Sequence, residues 1–244
     1  MKIKLFTISN LLTLSNLLCG MIATVAILTD GDLHLAFWLL VLAAVFDFFD
    51  GFTARLLHQS SPIGLQLDSL ADMVSSGVAP TAVMLTLAWQ AGSSWWAADT
   101  GGPWSWIVLL LAVGTALRLA KFNIDETQHT EFCGLPTPAN ALFFVALGWM
   151  DAKTGFNQGG WVLLMVPAMS WLLISPVRMF AFKFQSFAFK GNEIRYIFIA
   201  LAVVLLVALG IPAVPIVILL YIAISAVGWG MSLKKPGSAA CPEK

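Results

Sequence analysis

Charge is scarce in this sequence. Of 244 residues, 13 are Lys or Arg and 13 are Asp or Glu, 11% together, while 59% are hydrophobic. Mean hydropathy is +0.87. Soluble domains carry roughly 25% charged residues, and a soluble core of this size could not hide so much apolar surface. Cysteine is scarce as well. Cys19, Cys133 and Cys241 are scattered, with no metal-ligand spacing and no disulfide framework, and read as buried apolar thiols. Internal repeats, low-complexity stretches and a linker long enough to divide domains are all missing. So is a cleavable leader, because the first apolar run continues past any small-residue cleavage pattern. Residues 1–232 therefore read as one membrane domain, and 233–244 as a disordered cytoplasmic tail.

Long apolar runs are what the chain does have. They recur at about 9–29, 34–57, 67–90, 104–122, 137–151, 160–180, 195–210 and 212–232. Most approach the roughly 20 residues that cross a bilayer. An open sheet edge cannot be satisfied in lipid, so the expected fold is an all-α integral membrane protein, a polytopic bundle of about eight transmembrane helices. With the N-terminus in the cytoplasm, 12 of the 13 basic residues fall inside and only Lys153 outside. The even count then puts both termini in the cytoplasm. The tryptophan-rich "WQAGSSWWAADTGGPWSW" becomes an outer loop at the aromatic belt. No nucleic-acid partner is expected.

Against this background, "DFFDGFTARLLHQSSPIGLQLDSLAD" (47–72) stands out, with Asp47, Asp50, Asp68 and Asp72 in about a tenth of the length. On a helix turning about 100° per residue, Asp50, Gly51, Ala54 and Arg55 share a face with Asp47, while Phe48, Phe49 and Phe52 point elsewhere. The same construction over 64–79 aligns Gly64, Asp68, Asp72, Ser75 and Ala79, and the "HQSSPIG" turn can set the two acidic faces side by side. An Asp at the centre of a membrane helix costs about 2.5–3.5 kcal/mol, so four approach roughly 10–14 before any compensation. Arg55 can neutralise only one. Two divalent cations would balance all four, and hard oxygen ligands on rigid helices suit Mg²⁺ or Mn²⁺. A single Asp could instead be a cap, an ion-pair partner or part of a proton path.

The pattern Asp47-x2-Asp50-Gly51-x2-Ala54-Arg55, then eight residues, then Gly64-x3-Asp68-x3-Asp72, resembles the full signature of the CDP-alcohol phosphotransferases. That resemblance implies a CDP-linked donor, a divalent metal pair held by the four aspartates, and an alcohol acceptor attacking the β-phosphorus with CMP leaving. It makes Asp72 the catalytic base. Gly51, Ala54, Arg55 and Gly64 would hold the CDP part, with Asn10 and Thr13 reaching the cytidine, though helix capping would also explain Asn10. A homodimer in the cell's inner (plasma) membrane, with its site facing the cytoplasm, is implied too.

Further segments, "NLLTLSNLLCG" (10–20), "LDSLADMVSSGVAP" (67–80), "ALRLAKFN" (116–123) and "FCGLPTPANA" (132–141), are similar to the phosphatidylserine synthase branch of that family. The likeness covers roughly the first 145 residues. It implies CDP-diacylglycerol and L-serine as substrates within membrane lipid, and Arg118, Lys121 and Asn123 as serine contacts, Arg118 taking the carboxylate. Two departures bear on the acceptor: Lys121 stands where arginine is expected, which loses any bidentate grip there, and Asn140 where a small residue is usual. The basic pair could equally be interfacial anchors. Other acceptors (glycerol 3-phosphate, inositol or an inositol phosphate) keep the same chemistry. A cation- or proton-coupled transporter would use the aspartates as an ion site, but no second copy of the acidic motif exists.

Overall fold

The computed structural model describes residues 6–58, 61–90, 103–124, 132–154, 162–179 and 192–233. The first helix, α1 (Ile8–Asp30), begins where the extended Thr7 accepts a hydrogen bond from the Asn10 amide. Asn10 is thus inside the first turn, and capping does not explain it. The helix ends at Gly31, whose φ of 66° lets its N–H return to Ala26 and Ile27. Asp32 then accepts from the Leu35 amide at 2.9 Å and opens α2 (Leu33–Leu56), which packs along α1.

The next helix, α3 (Pro62–Asp72), has a well-made start: the Ser61 hydroxyl accepts from the Gly64 amide at 3.1 Å, and Pro62 occupies the first position, where a missing N–H costs nothing. It continues through a π-helical turn, Met73–Val78, into α4 (Ala79–Gln90). Such turns are rare and favour functional sites. This one starts one residue after Asp72. It leaves Gly64, Asp68 and Asp72 aligned on regular α-helix and keeps Ser75 beside Asp72, while the wider turn breaks the uniform helical stripe before Ala79.

A 3₁₀ turn (Pro103–Leu109) leads into α5 (Leu110–Ile124), followed by β1 (Phe132–Cys133), α6 (Thr137–Thr154), α7 (Val162–Ile174), β2 (Arg178–Met179), α8 (Glu193–Leu209) and α9 (Ala213–Leu233). The two short strands pair antiparallel, Phe132 opposite Met179 and Cys133 opposite Arg178. Between them Gly134 sits at φ 81°, where an added Cβ would strike the Leu173 carbonyl oxygen, so only glycine fits. The core joins Met84 and Leu87 of α4, Leu111 of α5, Phe143 and Phe144 of α6 and Leu173 of α7. Phe48, Phe49 and Phe52 are exposed at 65%, 48% and 47%, the outward aromatic face that the helical construction gives.

Two expectations are corrected. Among the described residues, four helical spans rather than eight are long and apolar enough to cross a membrane: Ile8–Asp30, Leu33–Leu56, Pro62–Gln90 and Ser105–Ile124. The later apolar runs break up. The 13 residues of α7 rise only about 20 Å and contain Pro167, and the 17 of α8 rise about 26 Å, against a hydrocarbon core near 30 Å. The far end of α6 carries Asp151 and Lys153, and α9 offers a shorter apolar stretch, Ala213–Trp229. The placement of both termini in the cytoplasm, which was counted from eight spans, falls with that number. Cysteine is the second correction: Cys19 is buried and free, but Cys133 is disulfide-bonded. The 234–244 tail and most of the tryptophan-rich loop (91–102) lie outside the described residues.

The innermost span, Pro62–Gln90, is held close to α1 by Gly20, where an added Cβ would lie 2.8 Å from Ser75 Cα. Gly20→Val should therefore cost about 1–3 kcal/mol, read as a lower midpoint of thermal unfolding in detergent. Gly228→Ala, where an added Cβ meets nothing within 4 Å, should leave the midpoint unchanged.

Candidate active site

The two acidic pairs come from adjacent helices. Asp47 and Asp50 lie three apart on α2, Asp68 and Asp72 four apart on α3, so each pair shares one helix face. The structure sets these faces together: carboxylate oxygens of Asp47, Asp50 and Asp68 all lie within 4.8 Å of one another. Asp47 also comes within hydrogen-bonding reach of both Asp68 and Asp72. Asp50 and Asp72 are buried, and Asp47 and Asp68 half-buried.

Donors arrive from α1, which packs against both α2 and α3. The Thr13 hydroxyl donates to Asp50 Oδ2 at 2.6 Å, and the Ser9 hydroxyl donates to the Asp50 carbonyl oxygen at 3.1 Å. Asn16 Nδ2 donates to Asp72 Oδ1 at 3.1 Å. No described Lys or Arg neutralises the cluster, since Arg55 is exposed at the end of α2. Asp68 Oδ1 is buried with no hydrogen-bond partner among the described residues. An acceptor-only oxygen in that state, beside two more carboxylates, is a donor set that fits a hard divalent cation. The triad Asp47, Asp50 and Asp68 can hold one.

The remaining predicted residues divide into two groups. Gly51 and Ala54 lie beside Asp50, and a Cβ added to Gly51 would meet no atom within 4 Å, so space is open over the carboxylates. Gly64 faces Asn10, whose Oδ1 would be 3.2 Å from an added Cβ. Asn10 and Thr13 are both buried on the α1 face turned to the site. Arg118 is placed differently. It is 4% exposed, with Nε donating to the Leu135 carbonyl at 2.6 Å and Nη1 to the Cys133 carbonyl at 2.9 Å. Lys121 is exposed, and Asn123 Nδ2 donates to the Ser69 hydroxyl at 2.8 Å, tying the end of α5 to the residue after Asp68.

Sequence reasoning overlooked Ser9 and Asn16. Their signal was present: Ser9, Asn10, Thr13, Asn16 and Gly20 recur every three or four residues along an otherwise apolar helix, a polar stripe facing inward. It also missed a small cavity, with room for about one water-sized group, lying against Asp47 and Asp72. Asn16, Ser75 and Ser76 line its polar side, with Pro138 and Ala141 of α6 opposite.

A bundle of apolar helices carrying a carboxylate metal site at one end defines a class of membrane-embedded metal-binding proteins, and comparison with known proteins narrows it. The family model described as CDP-alcohol phosphatidyltransferase matches residues 6–174. The chain belongs to that family. It is similar to proteins named CDP-diacylglycerol–serine O-phosphatidyltransferase from three bacteria. Identity is 34% over 175 residues with that of Mycobacterium tuberculosis, covering 66% of this chain and 57% of that one. It is 30% over 177 residues with that of Bacillus subtilis (71% and 89%), and 29% over 206 residues with that of Helicobacter pylori strain 26695 (82% and 83%). The match thus spans little more than half the length of the mycobacterial relative.

Titration with Mn²⁺ followed by electron paramagnetic resonance tests the triad without any turnover. Asp68→Asn should weaken Mn²⁺ binding by more than tenfold. Thr13→Val, which removes the hydroxyl that donates to Asp50 and lies 3.2 Å from the Ser9 carbonyl oxygen, should weaken it by about 10–100-fold. Unaltered binding in both would remove the cation from this site.

Proposed function

We propose that the protein is a membrane-embedded phosphatidyltransferase that converts CDP-diacylglycerol and L-serine to phosphatidylserine and CMP. The observation that carries this reading is the meeting of Asp47, Asp50 and Asp68 at one point with Asp72 beside them. It occurs in a chain whose relatives in three bacteria bear that enzyme's name. Bound there, Mg²⁺ or Mn²⁺, as one ion or a pair shared with Asp72, would neutralise the diphosphate and the charge that develops on departing CMP.

The chain's own residues do the rest. The open space over Gly51 admits the diphosphate next to the α2 backbone, with Ala54 and Arg55 along the same face and Asn10, Thr13 and Gly64 closing the CDP side. Asp72, fixed by Asn16, takes the proton of the serine hydroxyl as that oxygen bonds to the β-phosphorus. The bond from this phosphorus to the bridging oxygen breaks, and CMP leaves with the electron pair. A carboxylate is a weak base for an alcohol, so proton transfer accompanies attack and needs contact. Arg118 has five N–H donors, two of them committed to backbone carbonyls. Those remaining, with Lys121 and Asn123 nearby on α5, are the proposed grip on the serine carboxylate. The site opens on the cytoplasmic face of the inner (plasma) membrane, where basic residues gather at the ends of α2 and α5. The active unit is a homodimer.

Purified protein in detergent with CDP-diacylglycerol and Mn²⁺ should release CMP on addition of L-serine, but not of inositol or glycerol 3-phosphate. Asp72→Asn should abolish release. Arg118→Gln should raise the serine KM at least about tenfold with the CDP-diacylglycerol KM little changed. An unchanged serine KM would take Arg118 out of the acceptor site.

A further inference from the structure

One buried polar atom beside Asp72 has no partner among the described residues. Asn16 is wholly buried on α1, and its two ends are treated unequally. Nδ2 donates to Asp72 Oδ1, while Oδ1 makes no hydrogen bond. Chemistry fixes this orientation, because an ionised carboxylate can only accept and the amide must turn its NH₂ toward Asp72. A buried carbonyl oxygen left unmet is costly and rare in native structures. Asn16 also lines the cavity against Asp47 and Asp72.

The chemistry of that cavity points one way. Its polar boundary consists of two carboxylates, the Asn16 amide and the hydroxyls of Ser75 and Ser76, and no basic side chain lines it. Ser75 already donates its proton to the Ala71 carbonyl at 3.2 Å, which leaves its oxygen as an acceptor. Such a boundary repels phosphate and carboxylate and attracts a group with several donors and positive charge. A primary ammonium, with three N–H donors and no acceptor, is the complement.

We propose that Asn16 is the specificity residue for the acceptor, its Oδ1 binding the ammonium group of an amino alcohol in this cavity. The same side chain holds the carboxylate that receives the hydroxyl proton. This rests on the phosphatidyltransferase reading above and adds to it where the amine lies. The two ends of serine are then separated, ammonium toward Asn16 and carboxylate away from the Asp47–Asp72 wall. The construction is rigid. Gly20, one helical turn beyond Asn16, brings α1 onto the backbone of Ser75, so Asn16 and the cavity's polar wall cannot drift apart.

The test compares acceptors that differ by one group. Wild-type protein with CDP-diacylglycerol and Mn²⁺ is offered L-serine and 3-hydroxypropionate, which is serine without its amine, and CMP release is measured. Sites built to hydrogen-bond an N–H reject analogues lacking it strongly, so kcat/KM should favour serine by about a hundredfold or more. In Asn16→Ala that preference should shrink at least tenfold, through a raised serine KM, while the KM for CDP-diacylglycerol stays within about twofold. If wild-type protein uses 3-hydroxypropionate as well as serine, the proposal is overturned whether or not the variant folds. It is equally overturned if Asn16→Ala lowers kcat alike for both acceptors and keeps their ratio, the result expected if Asn16 merely steadies Asp72. Folded protein that releases CMP with neither acceptor would sink the phosphatidyltransferase reading itself, and this inference with it.

Discussion

Repulsion among four carboxylates governs the architecture around them. Two unit charges 4.8 Å apart repel by about 3–4 kcal/mol at an effective dielectric near 20, and here three carboxylates lie within that distance with a fourth beside them. No described basic residue offsets this charge. Two neutral dipoles from α1 take up part of the load, Thr13 on Asp50 and Asn16 on Asp72. Dipoles lower the energy of a carboxylate without cancelling its charge. A divalent cation on Asp47, Asp50 and Asp68 can supply the balance, and Asp68 Oδ1, buried and without a partner among the described residues, marks where it fits.

Those dipoles act only at contact, so α1 must lie very close to α3 and the π turn. Two glycines make this possible. Gly64 leaves room for Asn10, and Gly20 lets α1 rest on the Ser75 backbone. The π turn at Met73–Val78 adds the third condition, because it widens the helix just past Asp72 and presents Ser75 and Ser76 beside the Asp72 carboxylate. Packing and chemistry are thus one arrangement: each close approach that stabilises the helix triple also fixes a donor on an acid.

Much of this was legible in the sequence, and the reasons are specific. The spacing of Asp47, Asp50, Asp68 and Asp72 survives folding because each pair lies within regular α-helix, where three or four residues return to the same face. The outward aromatic face of α2 follows from the same geometry. What failed was reasoning that extended regularity too far. Between residues 137 and 210 the apolar runs satisfy composition but form helices too short, or too polar at one end, to count as full spans. The π turn has no reliable signature, so the regular stripe drawn from Asp72 through Ser75 to Ala79 did not allow for the wider turn at Met73–Val78. Asn16 was missed because attention stayed on the charges, although an asparagine on an apolar helix, in register with Thr13 and Gly20, is itself a signal.

Arg118 is a support in space as well as the acceptor contact proposed above. Its bonds to the carbonyls of Cys133 and Leu135 fasten the turn around Gly134, and Leu135 and Gly134 in turn donate to the carbonyls of Leu172 and Val177. That turn delivers the first residues of α6, and Pro138 and Ala141 from that helix close the cavity opposite Asn16. Each wall therefore has its own anchor. The polar wall depends on α1 through Asn16 and Gly20, and the apolar wall on α5 through Arg118. A change at either anchor alters the shape of this cavity without touching a carboxylate.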